Sequence, residues 1–272
     1  MARFTFIFIF LLSVSSSRGI DIERAEFLSG IAVARWNPDL DVNPEELGIY
    51  QEGDLRDDPR ILLDNRNVIA NPKRAWPDAR VPYEIHPDFS KRERRIILQA
   101  MYVITSHTCV KFVKRTTEKG YLSIGRNATG CWSHIGYLGG RQWLNYQDRC
   151  LWRFGTVVHE LFHTLGLFHE QSRPDRDTFV MVKWDNIKSG YHHNFIRLGN
   201  KKATTLGVDY NYASVMHYSP KAFSKNKKKL TIVPKKNYNK NIKLMGQRKG
   251  PALTDLEKIN KLYECKDTEE ES

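Results

Sequence analysis

The chain has 272 residues, 40% of them apolar and 27% charged, enough for one large or two modest domains around an ordinary core. Its net charge of +12 bears on solubility and partners rather than on fold, and with no recognisable nucleic-acid-binding motif it does not point to DNA or RNA. Cys109, Cys131, Cys150 and Cys265 show no C-x-x-C spacing, which argues against a cysteine-built zinc site; an even count suits two disulfides in an oxidising compartment, with all three pairings open.

Met1-Ala2-Arg3 is followed by an almost unbroken apolar run from Phe4 to Val14 and then by Ser15, Ser16 and Ser17. One positive charge, a short apolar stretch and small residues make the pattern of a signal peptide over residues 1–19; the run falls short of the about 20 residues a bilayer span needs. No later stretch is apolar for long enough to span, so a secreted product without a membrane anchor is expected. Residues 20–66 hold 12 acidic and 5 basic side chains, a net of −7, whereas residues 67–272 hold 19 and 36, a net of +17. An acidic leader therefore precedes a basic body. With Pro38, Pro44 and Pro59 and little periodicity, the leader reads as a mostly extended segment that leans on something else.

In the body, residues 80–85 form a short strand. Ser90 caps a helix over 91–106 whose Ile97, Ala100, Met101 and Ile104 share one face. Strands follow at 110–113, at 121–124 and, beyond Gly136, Gly139 and Gly140, at 142–146. The next helix spans 154–165 and stops at Gly166. A loop-rich stretch, with an exposed lysine patch at 225–229, leads to a last helix bearing Leu256, Ile259 and Tyr263, for which Thr254 and Glu257 supply a capping box. Asn127-Ala128-Thr129 is a glycosylation sequon in a turn, so Asn127 is expected to carry a glycan if the host glycosylates.

The chemistry is carried by the helix over 154–165. His159 and His163 lie four apart, one above the other on one face, so two imidazoles converge on one point. Glu160 stands about 100° further round, where it reaches a water at that point without itself binding a metal. Gly166 permits a sharp turn that returns His169 as a third ligand. Three neutral nitrogens leave the fourth tetrahedral position open to water, the mark of a catalytic rather than a structural zinc, and one Zn2+ per chain is expected. Five fixed residues at this spacing recur by chance in about one chain in ten thousand. That outweighs the ordinary reading of a histidine as a packed side chain, which is kept for His107, His134, His192 and His193.

His159-Glu160-x-x-His163-x-x-Gly166-x-x-His169-Glu170-x-x-Arg173-x-Asp175-Arg176-Asp177, with Ser214-Val215-Met216-His217-Tyr218 downstream, resembles the astacin family of metzincins. The resemblance runs from Trp76 to Cys265 and reaches into the leader; Leu167, where astacins commonly have Phe, is a departure. It implies an α+β fold of two lobes, the first with a twisted, mostly parallel sheet and two long helices, the second irregular with a final helix. It implies the minimal form, with a signal peptide (1–19), a propeptide (20–66) and a catalytic domain (67–272). Disulfides Cys109–Cys265 and Cys131–Cys150 follow from the family pattern.

The resemblance also implies roles. The activity would be zinc-dependent hydrolysis of proteins or peptides, with Glu160 as general base; Met216 would be an apolar floor under the zinc. Tyr218 would be a further ligand at rest that swings to the oxyanion of the tetrahedral intermediate. No thiol precedes Cys109, and a carboxylate is the next anionic zinc ligand; Gln51-Glu52-Gly53-Asp54 is similar to the family's propeptide motif and makes Asp54 the zymogen switch. An activating protease would cut at Arg66-Asn67, and the new amine would bury near Glu170. Gly246-Gln247-Arg248 resembles the tolloid and meprin segment whose arginine receives the residue after the scissile bond, implying a preference for Asp or Glu there. A monomer with no nucleic acid partner is expected. The alternatives are an inactive zinc-binding protein, which would be expected to have lost Glu160 or a ligand, and a basic-surface interaction module acting through the lysine loop, which could coexist with catalysis.

Overall fold

The computed structural model describes residues 14–56, 74–126, 128–200, 203–226 and 228–266. The expected cleavage site Arg66-Asn67, the sequon residue Asn127 and the first 13 residues of the signal segment lie outside them.

The leader is not mostly extended as expected: it contains helix α1 (Val14–Ala34). No proline interrupts residues 14–34, and the body supplies partners for the helix backbone. Thr129 donates to the Glu26 carbonyl at 2.9 Å, Gln147 Nε2 to Gly30 at 2.9 Å and Arg149 Nε to Ala34 at 3.1 Å. Gly30 is needed for this approach, since a Cβ there would lie 2.5 Å from Thr129 Cγ2. Val33 and Trp36 are buried, and between Pro38 and Arg56 the chain crosses the body in loops and a short turn of 3-10 helix, Glu45–Leu47.

The body begins with a five-stranded sheet in the order β2 (Lys111–Lys114), β1 (Arg80–Ile85), β3 (Tyr121–Gly125), β5 (Arg141–Tyr146), β4 (Cys131–Ser133). All neighbours are parallel except β4, which runs antiparallel to β5 with Cys131 opposite Tyr146. Every residue of β3 is buried, as a central strand covered on both faces must be. Helix α2 (Lys91–Thr105) starts at a capping box: Ser90 Oγ accepts from the Glu93 amide, and the Glu93 carboxylate accepts from the Ser90 amide at 2.8 Å. Its buried stripe of Ile97, Ala100, Met101 and Ile104 packs against helix α3 (Phe154–Leu165).

A second apolar cluster gathers Val180, Ile187, Phe195, Tyr212, Phe223, Ile232 and Met245 around the two-stranded pair β6 (Val180–Val182) and β7 (Ile232–Pro234), beside the short helix α4 (Tyr238–Asn241). Helix α5 (Leu253–Leu262) then returns to the first cluster through Leu256 and Ile259. Its start differs from the expected Thr254/Glu257 box. Asp255 reaches back to the Ala252 amide at 2.9 Å and also takes the Val215 amide and the Ser214 hydroxyl, while Thr254 accepts from Asn211. The shorter acid is buried among donors that only the tertiary fold assembles.

The disulfides are Cys109–Cys265 and Cys131–Cys150. The result is the expected α+β architecture with two main cores. The residues between 225 and 229 that are described are exposed. Among the described residues no helix is long and apolar enough to cross a membrane.

Candidate metal centre and active-site cleft

Helix α3 is buried from Gly155 to Leu165, so its polar residues face not solvent but the seam between the two cores. Two glycines let it sit there. A Cβ on Gly155 would stand 2.4 Å from Arg248 Cα, and the Gly155 amide donates to the Arg248 carbonyl at 2.8 Å. At the other end Gly166 adopts φ 111°, a left-handed conformation that ends the helix and turns the chain back toward His169.

The three imidazoles are oriented by acceptors. His159 Nδ1 donates to the Val215 carbonyl at 2.8 Å, His163 Nδ1 to the Leu167 carbonyl at 2.6 Å and His169 Nδ1 to the Glu52 carboxylate at 2.6 Å. Each partner can only accept, which places the proton on Nδ1 and leaves the Nε2 lone pair facing inward. Asp54 of the leader enters the same space. Its Oδ2 lies 3.1 Å from His159 Nε2 and 3.4 Å from His169 Nε2, and its Oδ1 lies 3.5 Å from His163 Nε2.

A metal ion fits this set. Nε2 of His159 and Nε2 of His163 are 3.0 Å apart, and one ligand atom from each of the four side chains lies within 4.8 Å of the others. Bonds of about 2.0–2.1 Å in a tetrahedron require ligand separations near about 3.3 Å. Asp54 Oδ1 and His169 Nε2 are buried with no hydrogen-bond partner, which is the condition of atoms directed at a cation. The chemistry of the donors, three imidazoles and one carboxylate, is that of zinc.

Burial opposes ionisation of Asp54, but the imidazoles of His169, His163 and His159 that surround it hold its pKa well below the usual carboxylate value. Glu160 goes the other way. Burial, then the negative charges of Asp54 and Glu45, push its pKa well above the ordinary value, and neither of its oxygens has a hydrogen-bond partner.

Met216 is buried in the first core directly after Val215, whose carbonyl orients His159. Tyr218 stacks obliquely on His169 at 4.8 Å, but its hydroxyl donates to the Glu52 carbonyl of the leader at 2.6 Å. Glu170 is buried between Arg173 Nη1, at 3.1 Å, the Asn211 amide, at 2.9 Å, and Lys258 Nζ. Arg248 is buried, its Nε donating to Glu45 of the leader and its Nη1 to the His217 carbonyl at 3.2 Å.

Sequence reasoning missed the residues through which the leader grips the cleft. Glu45 also accepts from the Thr156 hydroxyl at 3.2 Å. Glu46 accepts from the Ser219 amide at 2.5 Å and the Ser219 hydroxyl at 2.6 Å, and Asn43 donates to the Gly246 carbonyl at 3.1 Å. In sequence these acids look like any others in an acidic leader; the only available signal was the basic body they face.

Residues 68–264 match the family model described as Astacin, a family of peptidases. The chain is 40% identical over 227 residues to "Zinc metalloproteinase nas-4" of Caenorhabditis elegans, covering 80% of this chain and 70% of that protein. It is 39% identical over 236 residues to "Astacin-like metalloendopeptidase" of Coturnix japonica, covering 85% of this chain and 55% of that one. It thus spans little more than half the length of the second relative. Among solved structures, high choriolytic enzyme 1, a hatching enzyme zinc-protease from Oryzias latipes, superposes with a TM-score of 0.64 at 36% identity over 71% of this chain and 94% of that one. Motif, fold, metal-ready histidines and relatives agree, and the chain belongs to the astacin family of zinc metalloendopeptidases.

Proposed function

We propose that this chain is the precursor of a secreted peptide-bond hydrolase, held inactive by its own leader through Asp54. One observation carries the reading: a leader carboxylate lies among the three inward-facing imidazoles, where a water would have to stand for hydrolysis.

Zinc held by His159, His163 and His169 supplies a positive charge that acidifies water and polarises a carbonyl. The rest is done by this chain's side chains. Glu160, one residue beyond His159, takes the proton of the attacking water and gives it to the leaving amine. Tyr218, whose hydroxyl donates to a leader carbonyl, donates in turn to the substrate carbonyl oxygen as charge develops on it. Met216 keeps the floor beneath the histidines apolar. Arg248 favours an acidic side chain after the scissile bond; a charge-assisted contact of this kind is worth about 1.5–3 kcal/mol. An activating protease frees the body at Arg66-Asn67, and the new amine pairs with Glu170. The enzyme acts as a monomer on proteins or peptides, without nucleic acid partners, and with a glycan at Asn127 where the host adds one. An inactive zinc-binding protein is disfavoured because Glu160 and all three histidines are retained.

The test is the full-length Asp54→Ala precursor loaded with zinc. It is expected to cleave a peptide substrate before any processing, whereas the wild-type precursor does not. A mutant precursor as inert as wild type would remove Asp54 from this role.

A further inference from the structure

The positive charge of the body is unevenly placed. Residues 178–250 hold 16 basic side chains and 2 acids, Asp185 and Asp209, so a net of +14 out of the body's +17 lies in the second lobe. All but Arg197 and Arg248 of the sixteen are lysines. Among the described residues only Lys221 of these lysines pairs with a carboxylate, that of Asp41. Part of the excess is gathered along one groove. Strands β6 and β7 pair with Met181 opposite Val233, and beyond them Asn186 clamps the lysine loop at both ends. Its carbonyl accepts from the Lys225 amide at 3.0 Å, and its side-chain amide donates to the Leu230 carbonyl at 2.7 Å. Inside the loop the Asn226 side chain accepts from the Lys228 and Lys229 amides at 3.1 and 3.0 Å. The two walls enclose a groove of about 660 Å³, lined by Lys183, Lys229 and Lys235 over Met181, Val233 and Tyr238. Met181 and Tyr238 remain 43% and 46% exposed there. Lys235 Nζ donates to the Asp177 carbonyl, which leaves its charge unpaired. Among the described residues, none from the leader or the metal centre lines the groove.

A groove walled by one sign of charge focuses its field on a counter-ion. Its chemistry narrows the occupant. An acidic peptide is better served by guanidinium groups, whose planar fork matches a carboxylate, and the groove is lined by none. Ammonium groups are point charges that take an anion from any direction, which suits a chain carrying charge at every repeat. The apolar groups lie between the charges on the floor of a groove, within reach of a narrow chain but not of a flat bilayer. Tyr238 and Met181 there offer a face on which the carbon-bound side of a sugar ring can pack. We propose that this groove binds a sulfated polysaccharide, its sulfates on Lys183, Lys229 and Lys235 and a sugar ring on Tyr238, and so tethers the protein before and after the leader is removed. Such a chain meets the protein only if it is secreted, as proposed above. The binding itself needs neither zinc nor hydrolysis, so its failure would leave the peptidase reading untouched.

The test follows a fluorescein-labelled heparin decasaccharide binding to the full chain by anisotropy, at about 0.15 M salt so that distant charges are screened. Lys183→Gln, Lys229→Gln and Lys235→Gln together are expected to weaken binding by about tenfold. Lys111→Gln, Lys114→Gln and Lys119→Gln remove the same charge from the other lobe and are expected to change it by about twofold or less. Tyr238→Ala is expected to weaken the decasaccharide by about fivefold and to leave binding of a poly-glutamate peptide unchanged. All seven positions are exposed, so each variant is expected to keep the parent's Tm. Equal weakening by the two triple variants would reduce the effect to net charge and overturn the groove. A glutamate peptide or single-stranded oligodeoxynucleotide of matched charge that binds as tightly as the decasaccharide would overturn the polysaccharide as its occupant, and so would a desulfated decasaccharide that binds as well as the sulfated one.

Discussion

Glu160 and its neighbours show how a side chain's chemistry is set by what is buried beside it. The leader adds two negative charges, Asp54 and Glu45, to a carboxyl already raised by burial, which favours the neutral acid. After leader removal, Glu160→Gln is expected to keep zinc, measured by metal content, while kcat falls by several orders of magnitude; near-normal turnover in the zinc-loaded variant would refute the assignment. Gly155→Ala has a different target. Its Cβ would collide with the Arg248 backbone at 2.3–2.4 Å, neither of which can give way cheaply, so a loss of about 1–3 kcal/mol is expected, read as a lower denaturation midpoint. The three histidines were legible from sequence because the spacing of His159 and His163 on a helix, and the Gly166 turn that returns His169, are local geometry. The place of Asp54 beside them was legible only through resemblance, and the pairings of Glu45 and Glu46 with Arg248 and Ser219 not at all, since they join positions more than 170 residues apart.

At the scale of elements, what could be read were segments whose signals are internal. Strand β1 and helix α3 fall where expected, and α2 ends one residue earlier, because apolar periodicity, the Ser90 cap and the Gly166 stop all sit within the segment itself. Ser90→Ala is therefore expected to cost about 1 kcal/mol, measured by chemical denaturation; an unchanged midpoint would show that the capping bonds contribute nothing. Strand β4, three residues long, escaped notice, and so did α1. The carbonyls of α1 find donors on Thr129, Gln147 and Arg149, so what anchors that helix lies about a hundred residues away. The disulfides differ in the loops they close, with separations of 156 and 19 residues. Loop-closure entropy assigns about 5 kcal/mol to the first and about 3 to the second. Replacing both cysteines of the 109–265 pair by serine is expected to lower Tm more than the same change in the 131–150 pair, and the reverse order would set the entropic account aside.

Across the whole molecule the leader touches both halves of the body. It adds to the free edge of β4, where the Ser133 amide donates to the Asp54 carbonyl and the Arg56 amide to the Ser133 carbonyl, both at 3.0 Å. On the other side of the seam Glu46 holds Ser219 and Asp41 pairs with Lys221 at 2.6 Å. Two apolar cores that each form from their own residues must still find one mutual placement, and contacts this distant in sequence are slow to close. A segment synthesised first and bonded to both cores is suited to act as a jig on which they are aligned before the permanent fastening by Cys109–Cys265. Residues 67–272 refolded alone are then expected to recover the native state more slowly and in lower yield than the full chain. A peptide of residues 20–56 supplied in trans should restore much of the loss; equal refolding rates with and without it would show that the leader restrains a finished enzyme and has no part in building one.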